Sequence, residues 1–437
     1  MASISQQNPN ARSEETPSFS LALPQLLVLA VTVALGFTMV GSFSTVQEAA
    51  KAELNLSDYS LSLVQGLSAA IPIVLLSIPV GRLVDRVNRV RLLIVLAVFW
   101  TAGTFLTAVA QDFVVLFIAR MITSFGLACG LLPCVSLAAD FSNPARRGSA
   151  TLIVLLGKPS GQAIGFALLG FLSVFFAVRG LPWGFEHIAP WRSAHLALGV
   201  ISAIGIIPLL FISEPPRHES AAGVGASIGM VVREMWGYRK FLAAIYLGQV
   251  CVFTADAAAL IWAAPVLTRS YELQPAEFAG WMGSLLFITG VLGCFIGGIG
   301  ADMGHKTGRG GGVLYAGVAA ALIGVPAALF PVAPTVVLFA VALGTLVFCG
   351  IVTNIAVATS VTVLLPNEIR GLTLGSYHTI AGAISFGIAP TLIAATSTLL
   401  GGEERLGEAL ALAGIVISAL GVVGFLLAVR YAPRAAR

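Results

Sequence analysis

The chain has 437 residues and a net charge of +4, and 57% of it is hydrophobic against only 10% charged. A soluble domain carries about 25% charged residues, so this composition cannot build a water-facing surface, and most of the exterior must face lipid. The charge does not indicate a nucleic-acid partner, because no basic patch is interleaved with aromatic residues.

The first 20 residues, MASISQQNPNARSEETPSFS, are polar and carry no apolar core with a cleavage site. They read as a disordered tail rather than a removed leader. Apolar runs then recur along the whole chain, each long enough to cross a hydrocarbon core of about 30 Å as a helix. They are continuous rather than alternating, which is the pattern of helices and not of barrel strands. They predict twelve helices, at 21–45, 60–80, 90–110, 113–137, 148–178, 193–213, 241–267, 277–300, 312–331, 335–364, 371–400 and 408–430, numbered 1 to 12 below. The longest polar stretch between helices, 214–240, divides them six and six. The expected organisation is an N-terminal bundle over 21–213, a linker over 214–240, a C-terminal bundle over 241–430 and a tail over 431–437. Cys129, Cys134, Cys251, Cys294 and Cys349 all fall inside apolar runs and form no CxxC pair, so they suggest neither a metal site nor a disulfide framework.

Positive charge sets the expected orientation. With the N-terminus cytoplasmic, 17 of the 24 Lys and Arg residues fall in the loops and tails of that side and 5 on the other. The remaining two, Arg120 and Lys158, lie inside helices. This split predicts an inner-membrane protein with both termini cytoplasmic.

The halves echo each other. Gly81-Arg-Leu-Val-Asp85 follows helix 2 and Gly298-Ile-Gly-Ala-Asp302 follows helix 8, with Arg89 and Lys306 each four residues beyond the aspartate. Pro144-Ala-Arg-Arg147-Gly148 after helix 4 is matched by Pro366-Asn-Glu-Ile-Arg370-Gly371 after helix 10. The offsets, 217 residues for the aspartates and 223 for the Arg-Gly pairs, point to a parallel duplication.

The run from Gly81 through Asp85, Arg86, Asn88 and Arg89 to Arg91 resembles the loop signature of the major facilitator superfamily, departing from it at Asn88 and Val90. The first half is most similar to the Spinster-like branch, through this loop, through Ala119-Arg120-Met-Ile-Thr-Ser-Phe-Gly126-Leu127 in helix 4, and through Ser213-Glu214-Pro215-Pro216-Arg217 after helix 6. Helix 1 lacks the acid usual in that branch, and Leu127 stands where it carries Glu. The resemblance therefore implies a fold of two pseudo-symmetric six-helix bundles and a transport role, and transfers neither a proton site nor lipid substrates. It also implies that Gly81, Asp85, Arg86, Arg89 and Asp302 belong to a gating loop rather than a binding site.

Charges at membrane depth cost at least about 2.5–3.5 kcal/mol, so they should face protein or a watery cavity. Arg120 and Lys158 are the two such cations. Each is either a substrate contact or a structural residue, Arg120 by pairing with a helix carbonyl. Gln162, one turn beyond Lys158, shares its face. Asp256 is the clearest acid at depth. It is either a protonatable coupling site or a partner in a salt bridge to Lys158 or Arg120, and Gln249 lies seven residues before it on the same face. His378 and Asn354 are weaker candidates, since a lone His on an apolar helix is more often a satisfied core residue and an Asn there can simply bridge helices. Two cations and few acids in the first-half cavity favour an anionic substrate.

The expected function is alternating-access transport of a small organic solute, anionic or amphipathic, coupled to protons. The expected form is a monomer in the lipid bilayer, with no cofactor and no metal. An exporter or antiporter of lipophilic compounds is the alternative transport mode. A sensor or scaffold would normally carry an appended soluble domain. An intramembrane enzyme would need a metal cluster or a nucleophile pair at helical spacing, and neither is visible.

Overall fold

The computed structural model describes residues 19–142, 146–180, 188–217 and 228–433. Most of the expected N-terminal tail, the middle of the linker, Pro144 and the last four residues lie outside them. Among the described residues there is no strand, and twelve helices are long and apolar enough to cross a membrane. They are Ala22–Leu54, Asp58–Ser77, Arg89–Val109, Phe113–Asp140, Arg147–Arg179 and Pro190–Phe211 in the first half. In the second half they are Arg239–Ser270, Pro275–Lys306, Gly312–Val332, Val336–Leu364, Ile369–Leu399 and Glu403–Tyr431. Helix 2 continues past its span to Arg86. With twelve spans, the start of helix 1 and the end of helix 12 fall on one face, called here the terminal face. The opposite face is the far face.

The largest difference from the sequence expectation is helix 1, which was expected to stop at 45 and runs on to Leu54. A one-residue turn at Ser42 interrupts it, and the continuation Phe43–Leu54 is amphipathic. Phe43, Val46, Gln47 and Ala50 are buried, whereas Lys51 and Glu53 reach the surface. Apolar content stops near residue 46, but tertiary packing carries the helix further.

Glycine sets how closely the helices approach one another. In the first half, Gly157 and Gly161 of helix 5 lie against the backbone of helix 1 at Ala30 and Ala34, where any side chain would collide. Thr38 fixes the same contact by donating to the Gly161 carbonyl at 3.0 Å. Helix 5 is broken at Leu156, between Arg147–Leu155 and Gly157–Arg179. Pro159 accounts for the break, because it has no N–H for the carbonyl four residues earlier. Lys158 sits at this break.

Glycines line two of the seams between the halves. Helix 5 meets helix 8 where Gly170 packs on Ala279, Gly283 on Ala163 and Gly290 on Pro159. Helix 2 meets helix 11 where Gly66 packs on the Phe386 carbonyl, Gly387 on Ala70 and Gly382 on Ile73. These contacts run from the far-face end of each helix to about its middle.

Candidate functional site at mid-depth between the halves

Lys158 and Asp256 stand on opposite halves, near the middle of helices 5 and 7, each within electrostatic reach of the other. They do not touch, and no direct ion pair joins them. The Lys158 ammonium lies 5.8 Å from the centroid of the Phe37 ring, a cation–π distance that leaves its three N–H donors available. Lys158 is exposed, as is His378 of helix 11, which feels the lysine's charge. The glycine contacts between the halves lie from mid-depth toward the far face, and Lys158 and His378 stand at the terminal-face end of that range. Asp256 is only partly exposed, and its Oδ1 is buried without a hydrogen-bond donor among the described residues.

The other expected contacts are distributed unevenly. His378 Nδ1 donates to the Leu374 carbonyl at 2.9 Å, and its ring stands edge-on to Tyr377 at 4.5 Å. Tyr377 in turn donates to Asn354 Oδ1 at 2.8 Å and stacks on Phe253 at 6.1 Å. His378 is thus backed by a buried aromatic group on the second-half side. Gln249 is fully buried, with both amide atoms unpartnered among the described residues. Gln162 is half-buried on helix 5.

Arg120 does not join this group. It is 3% exposed and donates to the carbonyls of Met39 at 3.1 Å and Val40 at 2.5 Å, with Phe43 beneath it at 5.1 Å. It braces helix 1 just before the turn at Ser42 by pairing with helix carbonyls, one of the structural alternatives its sequence position allowed.

The far face carries a cluster that the sequence reading did not foresee. Arg269 of helix 7 donates to both oxygens of Asp58 at 2.7 Å each, and to Glu48 at 2.7 and 3.0 Å. Lys51 pairs with Asp58 at 2.6 Å and with Glu403 of helix 12. The Asp58 N–H donates to Glu403 at 2.6 Å. Three acids and two bases thus tie helices 1 and 2 to helices 7 and 12. Deeper in the same seam, Gln47 Nε2 donates to the Ile261 carbonyl at 2.6 Å and its Oε1 accepts from Gln65 at 2.9 Å. Pro265 lies four residues after Ile261 and has no N–H, so it frees that carbonyl for the other half. Gln65 lies in a π-turn, Leu63–Leu67, a local widening of helix 2 that often marks function.

On the terminal face, Arg89 is buried and pairs with Asp140 and, at 2.7 Å, with Glu214. Glu214 also accepts the Val90 N–H at 3.1 Å, beside the cap that Asn88 gives helix 3. Arg217 donates to the carbonyls of Val84, Asp85 and Val87 at the end of helix 2. The Ser213–Arg217 segment therefore clamps the loop, an acid at a helix start and a cation at a helix end, as the helix dipoles favour. Asp85, Arg86 and Asp302 are exposed, and Gly81 is half-buried with open space around it.

A bundle of twelve apolar spans in two six-helix halves is the architecture of a multi-pass membrane protein. Residues 26–390 match the family described as Major Facilitator Superfamily, and the chain belongs to that family. It is 29% identical over 208 residues to the 3-(3-hydroxy-phenyl)propionate transporter of Escherichia coli (strain K12), a match spanning 47% of each chain. It is 27% identical over 322 residues to the probable 4-methylmuconolactone transporter of Cupriavidus pinatubonensis, covering 70% of this chain and 68% of that one. Among solved structures, a bacterial homologue of the human lysosomal transporter Spinster, inward-facing and unoccupied, superposes with a TM-score of 0.77. That match is at 21% identity over 95% of this chain and 96% of the other, and it speaks to the fold alone.

Proposed function

We propose that the protein is a proton-coupled transporter of small organic carboxylates, aromatic ones foremost, and that Lys158 binds the carboxylate. The observation that carries this reading is an exposed cation at mid-depth whose nearest opposite charge, Asp256, belongs to the other half and is not paired with it. The partly exposed Phe37 ring beside the lysine supplies an apolar face suited to an aromatic ring, and the exposed His378 ring, backed by the buried Tyr377, supplies a second. The relative in Escherichia coli is named for an aromatic propionate, which fits the same chemistry.

The proposed cycle begins with an empty crevice in which Lys158 is the counter-charge of Asp256. An entering carboxylate takes over the lysine. Asp256 loses its partner and takes up a proton, so the complex that crosses carries substrate and proton together. The distribution of positive charge supports a cytoplasmic terminal face in an inner membrane, and in that orientation the far-face cluster closes the outer side.

The test uses 3-(3-hydroxyphenyl)propionate as probe, with binding by calorimetry and uptake in proteoliposomes. Lys158→Ala is expected to weaken binding by about 10- to 100-fold, the worth of a hydrogen bond to a charged group. Lys158→Arg is expected to retain part of it. Unchanged binding in Lys158→Ala would make the lysine structural and remove the anion reading.

A further inference from the structure

Helix 10 passes helix 7 with Gly350 directly against the Asp256 carboxyl group. A Cβ built at position 350 would overlap Oδ2 and stand 2.6 Å from Cγ and 2.9 Å from Oδ1. Real Cβ contacts essentially never fall below 3.0 Å. The obstructing group is also not the end of a long flexible chain. Asp has two rotatable bonds, and its carboxyl moves only by turning about them or by shifting helix 7 against helix 10. The lack of a side chain at 350 is therefore a condition for the carboxyl position seen.

The neighbours on helix 10 leave that seat without a donor. Thr353, fully buried, turns its hydroxyl back to the Gly350 carbonyl at 2.8 Å. Asn354 is held by Tyr377. Neither reaches Asp256, and Oδ1 stays buried and unpaired among the described residues. A buried polar atom without a partner is costly, so whatever satisfies this carboxylate must come from the crevice. The titratable groups around it are Lys158 of helix 5 and Cys349 of helix 10, with Cys294 of helix 8 and His378 of helix 11 beyond the lysine.

We infer that Gly350 is a positioning residue for the coupling step: its missing side chain forms the notch that seats the Asp256 carboxylate within reach of Lys158 and unsatisfied by helix 10. This inference rests on the reading of Asp256 as the coupling group. The notch itself is a claim about geometry that stands or falls separately.

Both parts are tested on the full-length protein. The geometry is read by a double-mutant cycle in thermal unfolding, using Gly350→Ala, Asp256→Ala and the pair. Gly350→Ala is expected to lower Tm when Asp256 is present and to cost nothing further once Asp256→Ala has emptied the notch. Equal losses in both backgrounds would make Gly350 an ordinary helix-packing residue and overturn the inference. The paired variant keeps the cycle informative if Gly350→Ala alone folds poorly. Coupling is read with 3-(3-hydroxyphenyl)propionate in proteoliposomes. Gly350→Ala is expected to reduce accumulation against a gradient by about 5-fold or more and to flatten its pH profile, with binding changed far less. A wild-type pH profile in Gly350→Ala would overturn the positioning role. If Asp256→Asn also keeps the wild-type profile, the coupling reading of Asp256 fails with it, while the unfolding cycle still decides the notch.

Discussion

The seam between the halves holds charge at two depths, and the two are built in opposite ways. At the far face, Lys51, Asp58 and Arg269 each find opposite charge within 2.7 Å, and Asp58 is almost fully buried by its partners. At mid-depth, Lys158 and Asp256 face each other without a direct pair, and one carboxylate oxygen has no donor among the described residues. Charges that are fully paired hold two surfaces together. Charges left unpaired at depth are costly to keep and make sense where a ligand or a proton completes them. The difference separates a closing contact from a binding site on the same interface.

The largest way to break this comparison is to unpair the far face. Arg269→Ala leaves Asp58 and Glu48 without their shared partner, and removing one member of a buried ion pair costs about 3–5 kcal/mol. The expected result is a shift toward the open far face of more than about 100-fold. It is read by labelling a cysteine at Ser62, which lies in the seam beside Thr391, in a variant lacking the five native cysteines. Labelling at the wild-type rate would mean that the cluster does not hold the face closed.

Gln47→Leu is the smaller version. It removes the donor from the Ile261 carbonyl and is expected to raise the same labelling rate by about 5-fold, the worth of one neutral hydrogen bond. Pro265→Ala restores an N–H within helix 7 and should reduce that effect. Full additivity of the two changes would show that the proline does not create this contact.

Smallest on binding is Asp85→Asn on the terminal face. Asp85 is exposed and lies outside the crevice, so substrate affinity should stay within a few-fold while turnover slows. A large loss of affinity with unaltered cycling would contradict a gating role for that loop.

Composition and periodicity made the twelve spans legible, because continuous apolar runs have few alternatives in lipid. Depth alone singled out Lys158 and Asp256. It also singled out Arg120, since depth does not tell a cavity from a pair of neighbouring helix carbonyls. The far-face cluster was not readable: Arg269 lies 211 residues from Asp58, and Lys51 lies 352 from Glu403. As single charges near helix ends, Lys51 and Arg269 counted only toward orientation, and Asp58 and Glu403 not at all. Glu214 was visible as part of a family motif, but its service to both Arg89 and the Val90 N–H required the fold. Gly350 is one of 47 glycines, and only the packing of helix 10 on helix 7 distinguishes it from the rest.

The central claim is that an anion on Lys158 and a proton on Asp256 arrive together. The most direct measurement is proton uptake by the purified protein in weak buffer with a pH indicator, on addition of 3-(3-hydroxyphenyl)propionate. The account predicts net proton uptake approaching one per anion bound by the wild type, and none by Asp256→Asn although that variant still binds the anion. Anion binding by the wild type without proton uptake, or equal uptake by Asp256→Asn, would contradict it.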